Sequence, residues 1–229
     1  MGVVWSPPGA AMELIAALRV EHELIEAVAG SLRTYVTRRV TGGGGPGDLA
    51  RFLAFFDRFT GGFHHAREEE VLMPALVREA GVPGDRGPLA VMLADHHEMA
   101  AMRRRLAALA AGADWSQSEL AEVEALAVAF SRHLWAHIDA ENTVLFPEAE
   151  RVLRRSGVAE LAGRATTADE AAAEADGRAL VALYPPLEDR EAIRGEGCVV
   201  CPAYLERCAG IEREWWAEQQ WEEFHSHLE

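Results

Sequence analysis

The sequence predicts an all-α protein, an up-down-up-down four-helix bundle with a C-terminal helical extension. Three observations predict it. Up to about residue 155 the chain is rich in Ala, Leu, Glu and Arg and poor in β-branched runs, a composition that favours helix over strand. Stretches containing glycine and proline divide that region into four segments of helical length. The phrase H-x-x-x-E, followed six residues after the glutamate by proline, occurs twice: His64, Glu68, Pro74 and again His137, Glu141, Pro147.

The first helix is expected from roughly Met12 to Arg39, where "TGGGGPGD" ends it because glycine and proline cannot continue it. The second starts near Asp48 and is stopped by "AGVPGDRGP". The third runs from about Leu89 to Ala111, before "AGADWS", and the fourth from near Ser118 to Arg155, before Gly157. Pro74 and Pro147 fall inside helices two and four, and are expected to kink them, since apolar periodicity continues on both sides. Short loops between four helices impose an alternating arrangement around one core. The expected division is therefore residues 1–157 for the bundle and 158–229 for the extension. In the extension, "TTADEAAAEADGRALVALYPP" reads as one helix stopped by Pro185 and Pro186, and residues 187–197 as a charged linker. The last stretch reads as a Cys-containing turn feeding a terminal helix. Leu205, Cys208, Ile211 and Trp215 form an apolar stripe on it, which would pack back on the bundle or against a second copy of the chain.

Bulk properties narrow the function classes. A formal net charge of −15 argues against a nucleic-acid partner and against an anionic membrane surface. No apolar run reaches the roughly 18–20 residues of a spanning helix, and no basic start followed by an apolar stretch announces a secretion signal. The three cysteines, Cys198, Cys201 and Cys208, do not make a disulfide framework, so a reducing cytoplasm is the expected setting. No glycine-rich nucleotide loop is present.

The chemistry lies in the repeat. Residues four apart share a helix face, so His64 lies with Glu68 and His137 with Glu141. Helices one and three add Glu21-His22 and Asp95-His96, giving each helix one histidine, at separations of 42, 32 and 41 residues. A lone helical histidine is usually exposed or a satisfied core residue, and "EEE" at 68–70 alone would be a solvated face. Four histidines and two glutamates on core-facing positions are costly without a partner, and a metal removes that cost. Imidazole and carboxylate without thiolate suit iron or manganese. Shared out over two ions, the set supplies two histidines and two carboxylate oxygens to each, leaving a coordination place free.

With these residues the chain resembles the hemerythrin-like family, over roughly residues 12 to 155. The resemblance implies a non-haem centre of two iron ions in a four-helix bundle, with His22, His64, Glu68, His96, His137 and Glu141 as ligands. Oxygen-carrying members have a further histidine one turn after the third-helix ligand, where this chain has Ala100. The departure points away from reversible oxygen transport and toward the bacterial branch, linked to sensing, nitric-oxide or peroxide chemistry and iron handling. Two functions follow: a protein binding a small diatomic ligand, dioxygen or nitric oxide, for sensing, redox response or detoxification; or an oxidase, peroxidase or oxygenase activating dioxygen or peroxide.

Neighbouring residues have alternative readings. His65, about 100° round the helix from His64, reads as an outer or surface residue. His97 competes with His96, which is favoured because "DH" matches "EH" at 21 and 22. His133, one turn before His137, is a fifth ligand or an outer hydrogen-bond donor. Glu69, Asp139 and Asn142 read as outer or solvent groups. Cys198, Cys201 and Cys208 admit structural, redox and metal-binding readings.

Overall fold

The computed structural model describes residues 12–45, 47–110 and 115–186, and among them every regular element is a helix. Helix α1 is Glu13–Val40. Helix α2 covers residues 48–80, α3 is Gly87–Ala110, α4 covers residues 117–155, and α5 is Ala168–Leu183. The four expected bundle helices are all present, and α5 matches the Ala-rich segment ahead of Pro185. None of the described helices is long and apolar enough to cross a membrane. The linker, the three cysteines and the tryptophan helix lie outside the described residues.

Local chemistry explains the ends. Ser116 and Thr167 each accept from the backbone N–H three residues on, while Glu119 and Glu170 reach back to the cap, so α4 and α5 start on reciprocal capping boxes. Gly81 ends α2 at φ 71°, a left-handed position that glycine adopts without strain.

Helices α2 and α4 are not uniform. In α2 the segments Phe56–His65 and Glu68–Leu72 are π-helical, and in α4 so is Glu141–Leu145. The two short π turns occupy equivalent places: Met73 donates to the carbonyl of Glu68, and Phe146 to the carbonyl of Glu141, five residues back in each case. Each turn ends two residues before a proline. Proline lacks an N–H, and its ring clashes with the carbonyl four residues back. A widened turn relieves that clash while the helix continues. The repeated proline phrase thus encodes a π turn beginning at the repeated glutamate.

Two apolar clusters fill the bundle. One, near the loop joining α1 and α2, contains Leu32, Tyr35, Phe52, Phe55, Phe56, Phe59, Phe130 and Leu134. The other, toward the opposite end, contains Leu14, Ile15, Leu18, Leu72, Leu76, Met92, Phe146 and Leu153. The buried histidines and glutamates lie between them. Helix α5 braces the first cluster from outside. Its Gly177 meets the Phe55 ring, Arg51 pairs with Asp176, and Thr34 donates to the carbonyl of Pro185 at 2.8 Å.

Candidate metal centre

All six predicted side chains converge, and each is at most 5% exposed. The Nε2 atoms of His22 and His64 are 3.0 Å apart, and those of His96 and His137 are 3.1 Å apart. Two carboxylates span the pairs. Glu68 places one oxygen 3.3 Å from His64 Nε2 and the other 3.5 Å from His96 Nε2. Glu141 places one oxygen 3.2 Å from His22 Nε2 and the other 3.3 Å from His137 Nε2.

The outward-facing ring nitrogens fix the tautomers. His64 Nδ1 lies 2.9 Å from Glu21, His96 Nδ1 2.7 Å from Glu69, His137 Nδ1 3.3 Å from Asp95, and His22 Nδ1 3.0 Å from Asn142 Oδ1. The two halves of the bundle follow one rule. The acid just before the histidine of α1 or α3 orients the histidine of the next helix, and the residue just after the glutamate of α2 or α4 orients the histidine of α3 or α1. Arg67, itself buried, pairs with Glu21 and holds it in place. Against burial, the imidazoles of His133 and His137 beside it lower Asp95 to about 2. Against burial, His64 and Arg67 lower Glu21.

With each Nδ1–H donated outward, each Nε2 turns its lone pair inward. Two pairs of lone pairs then face each other across about 3 Å, with carboxylate oxygens beside them. All four oxygens of Glu68 and Glu141 are buried without a hydrogen bond of acceptable geometry. Such convergence of bases in an apolar interior is self-repulsive unless cations occupy it. In the absence of a cation, protons relieve part of the repulsion. Against burial, Glu141 and Asp95 raise His137 to about 10. Burial and the neighbouring Glu141 push Glu68 well above the usual carboxylate range, while His137 and His22, opposing burial, keep Glu141 well below it. The donor set fits metal ions: two nitrogens and two carboxylate oxygens surround each of two positions.

The neighbours divide clearly. His97 is exposed. His133 lies 3.3 Å from Asp95 and so belongs to the outer network. Glu69 and Asn142 are the outer groups expected of them.

His65 departs from its reading. It is 8% exposed, and one of its nitrogens lies within 4.8 Å of ligand atoms of Glu68, His96 and His137. Successive side chains rotate less on a π-helix than on an α-helix, so both His64 and His65 turn inward. The His65 ring nonetheless stacks on His96 at 3.8 Å with only 7° between planes. Stacked parallel rings send their nitrogen lone pairs along separate parallel planes, so His65 and His96 would not both hold one ion in this arrangement. Nothing in the α-helical period signals His65; the change of helix type over Phe56–His65 would have to be read first.

A cavity of about 330 Å³ lies beside the His96–His137 pair, lined in part by His65, His96, Met99, Ala100 and Phe130. Ala100, the residue in place of a further histidine, therefore faces open space next to the centre.

No curated protein and no solved structure matches the chain. A family model, the hemerythrin HHE cation-binding domain, matches residues 13–149. That span runs from the first turn of α1 past the π turn of α4, covers more than half of the chain and includes every residue of the cage. The chain belongs to the hemerythrin HHE cation-binding family.

Proposed function

We propose that this chain is a non-haem di-iron protein that binds a small diatomic molecule, dioxygen or nitric oxide, for sensing, redox response or detoxification. One observation carries the reading: Glu68 and Glu141 each present separate oxygens to both histidine pairs, and those oxygens have no hydrogen-bond partner. His22 and His64 would hold one ion, His96 and His137 the other, with both carboxylates shared between them. Nitrogen and oxygen donors without thiolate suit iron, and manganese by the same chemistry. When bound, the ions supply redox activity and Lewis acidity. The chain's own part is to hold the four imidazoles in one tautomer through Glu21, Glu69, Asp95 and Asn142, and to exclude water with the two apolar clusters.

A second reading, an enzyme activating dioxygen or peroxide, is favoured by the cavity, which is larger than a diatomic ligand requires. Ala100 keeps that side of the centre accessible.

Elemental analysis of protein made with ample iron should give close to two irons per chain. Glu68→Ala or Glu141→Ala should lose both ions together, because each carboxylate serves both positions. One tightly bound zinc with no iron would overturn the di-iron reading, and loss of a single ion would make the glutamates terminal ligands. Reduced protein should change its absorbance on adding nitric oxide; an unaltered spectrum would remove the diatomic ligand.

A further inference from the structure

Residues 158–167, which join α4 to α5, form no regular element, yet they are tied to α1 and α2. Leu14, in the first turn of α1, donates its backbone N–H to the carbonyl of Leu161 at 3.1 Å, and the N–H of Glu13 goes to the Glu160 carboxylate. Both belong to the helix-start donors that have no partner within their own helix. Arg164 donates to the carbonyl of Gly62 in α2 at 2.7 Å. It also meets the carboxylate of Glu170, the residue that closes the capping box at the start of α5, at 2.6 and 2.7 Å.

The tightest contact is with the support of the cage. A Cβ at Gly163 would stand 3.1 Å from Arg67 Cδ, 3.3 Å from Arg67 Nη1 and 2.9 Å from Leu14 Cδ1. The φ of Gly163 is not positive, so it is space and not backbone conformation that asks for glycine here. Arg67 is 4% exposed and has little room to yield: its guanidinium pairs with Glu21 and lies 3.8 Å from the centre of the Phe63 ring. Glu21 in turn holds His64 Nδ1 at 2.9 Å. A continuous line of contacts therefore runs from Gly163 through Arg67 and Glu21 to His64. With the segment lifted, water reaches the Arg67–Glu21 pair, the attraction between the two charges falls as the effective dielectric rises, and His64 loses a fixed partner.

The other half of the cage has no such dependence. Asp95, which plays the part of Glu21 there, is backed by His133 at 3.3 Å, and both residues belong to the bundle itself. The segment is also the kind of element that opens locally. It is mostly exposed, and its apolar anchors, Val158 and Leu161, are only partly buried against the second cluster.

We infer that residues 158–167 are a clasp: its closure and the binding of a metal ion by His22 and His64 favour each other, so that occupancy of the centre reaches α5. The biological use of the clasp rests on the proposed sensing role, while the coupling itself requires only that an ion bind at that half of the cage. By linkage, the factor by which the closed clasp tightens the ion is the factor by which the ion tightens the clasp. Groups that orient a histidine ligand from outside are worth about 10–100-fold in metal affinity, and a clasp acting through two of them should be worth about tenfold.

The test is hydrogen exchange of the full chain, first in chelator and then loaded with iron(II) without oxygen. The Leu14 amide, whose acceptor is Leu161, should exchange about tenfold more slowly in the loaded protein. The Glu119 amide, capped by Ser116 at the remote start of α4, should not change. Gly163→Val should abolish the slowing at Leu14 and, in chelator competition, weaken one of the two loading steps about tenfold while leaving the other alone. Arg67→Met, which keeps the bulk and removes the charge, should also abolish the slowing, and it decides if Gly163→Val does not fold. Leu14 exchange indifferent to iron overturns the clasp, as does slowing that survives Arg67→Met, or a Gly163→Val protein in which both loading steps weaken alike or neither does. Metal content of the same samples separates this proposal from the di-iron reading. Two irons per chain with unchanged Leu14 exchange keep the centre and remove the clasp. One zinc in place of iron, with slowed Leu14 exchange, keeps the clasp and removes the di-iron centre, and a chain that takes up no ion removes both.

Discussion

Asn142 occupies, in the second half of the bundle, the place that Glu69 occupies in the first. Each follows a buried glutamate at the start of a π turn, and each accepts from the Nδ1 of a histidine on another helix, His22 for Asn142 and His96 for Glu69. The geometry is matched but the charge is not. A carboxylate partner makes an imidazole a more basic ligand than an amide does. The two halves of the cage are therefore unequal: in the His22–His64 half, His64 alone has a carboxylate partner, while in the other both His96 and His137 do.

Asn142→Asp should tighten binding at the His22–His64 position on the order of tenfold, the lower range for such outer partners. Chelator competition on the stepwise loading of two ions reads this directly. The weaker step should move toward the stronger one; two unchanged constants would show that the amide already orients His22 as well as a carboxylate would.

Much of this centre is legible in the sequence because helix periodicity and metal ligation ask for the same thing. His64 with Glu68, and His137 with Glu141, are four apart, and that spacing puts them on one face whatever the fold around them. His96 over His97 follows from matching the acid-histidine dipeptides of α1 and α3. What the period does not carry is the change of helix type. The π segment at Phe56–His65 turns His65 inward and, with Arg103 on the Phe56 carbonyl, leaves Thr60 without a partner. That Glu21 reaches His64 and Asp95 reaches His137 is also hidden, since it depends on which helices lie side by side. The packing of α5 through Gly177 is equally illegible, because a glycine inside an Ala-rich helix gives no sign of the ring it meets.

Glu68→Leu should separate stability from metal binding. The Glu68 carboxyl is wholly buried, lacks hydrogen bonds and is pushed upward by burial and by Glu141, so in the metal-free protein it is a cost. An apolar side chain of similar volume removes that cost, by about 1–3 kcal/mol, the usual penalty of a buried polar group left without a hydrogen bond. Thermal melting in excess chelator should therefore rise by several degrees, while loading of both ions is lost. A lower melting point in chelator would mean that the carboxyl supports the empty fold.

Gly177→Ala should destabilise the chain although alanine is the better helix former, by about 1 kcal/mol. A Cβ at 177 would lie 2.4 and 2.5 Å from two carbons of the Phe55 ring. That ring is buried and packed between Phe56 and Phe59, each with its centroid 5.3 Å away, so it cannot swing aside. Overpacking of this kind costs about 1–3 kcal/mol and can exceed the propensity gain. Denaturant unfolding of the single variant and of Gly177→Ala in a Phe55→Leu background measures the coupling. Full additivity of the two changes would show that the helix shifts outward instead.

The pH dependence of the metal-free protein should run opposite to that of its metal affinity. His137 is raised from 6.5 to about 10, because Glu141 and Asp95 outweigh the effect of burial. A raised group contributes stability that is fully present below its unfolded value and is lost as pH climbs through its folded value. For His137 that loss spans roughly pH 6.5 to 10. Glu68, raised from 4.5 by burial and by Glu141, has the same sign and begins to lose its contribution at lower pH. Glu141, held well below 4.5 by His137 and His22 despite burial, has the opposite sign, so its contribution is present above 4.5 and is lost on acidification. His64, His65 and His96, each lowered by burial, have that opposite sign too and lose stability below 6.5. The empty cage should thus be most stable near neutrality and weaken toward pH 10. Metal ions must displace the protons held by Glu68 and His137, so affinity should rise over the same interval and loading at pH 7 should release protons. Melting curves in chelator from pH 5 to 10, with an indicator dye during loading in weak buffer, test both halves. Metal-free stability that increases from pH 7 to 10, or loading at pH 7 without proton release, would show that the cage does not hold its protons on these two side chains.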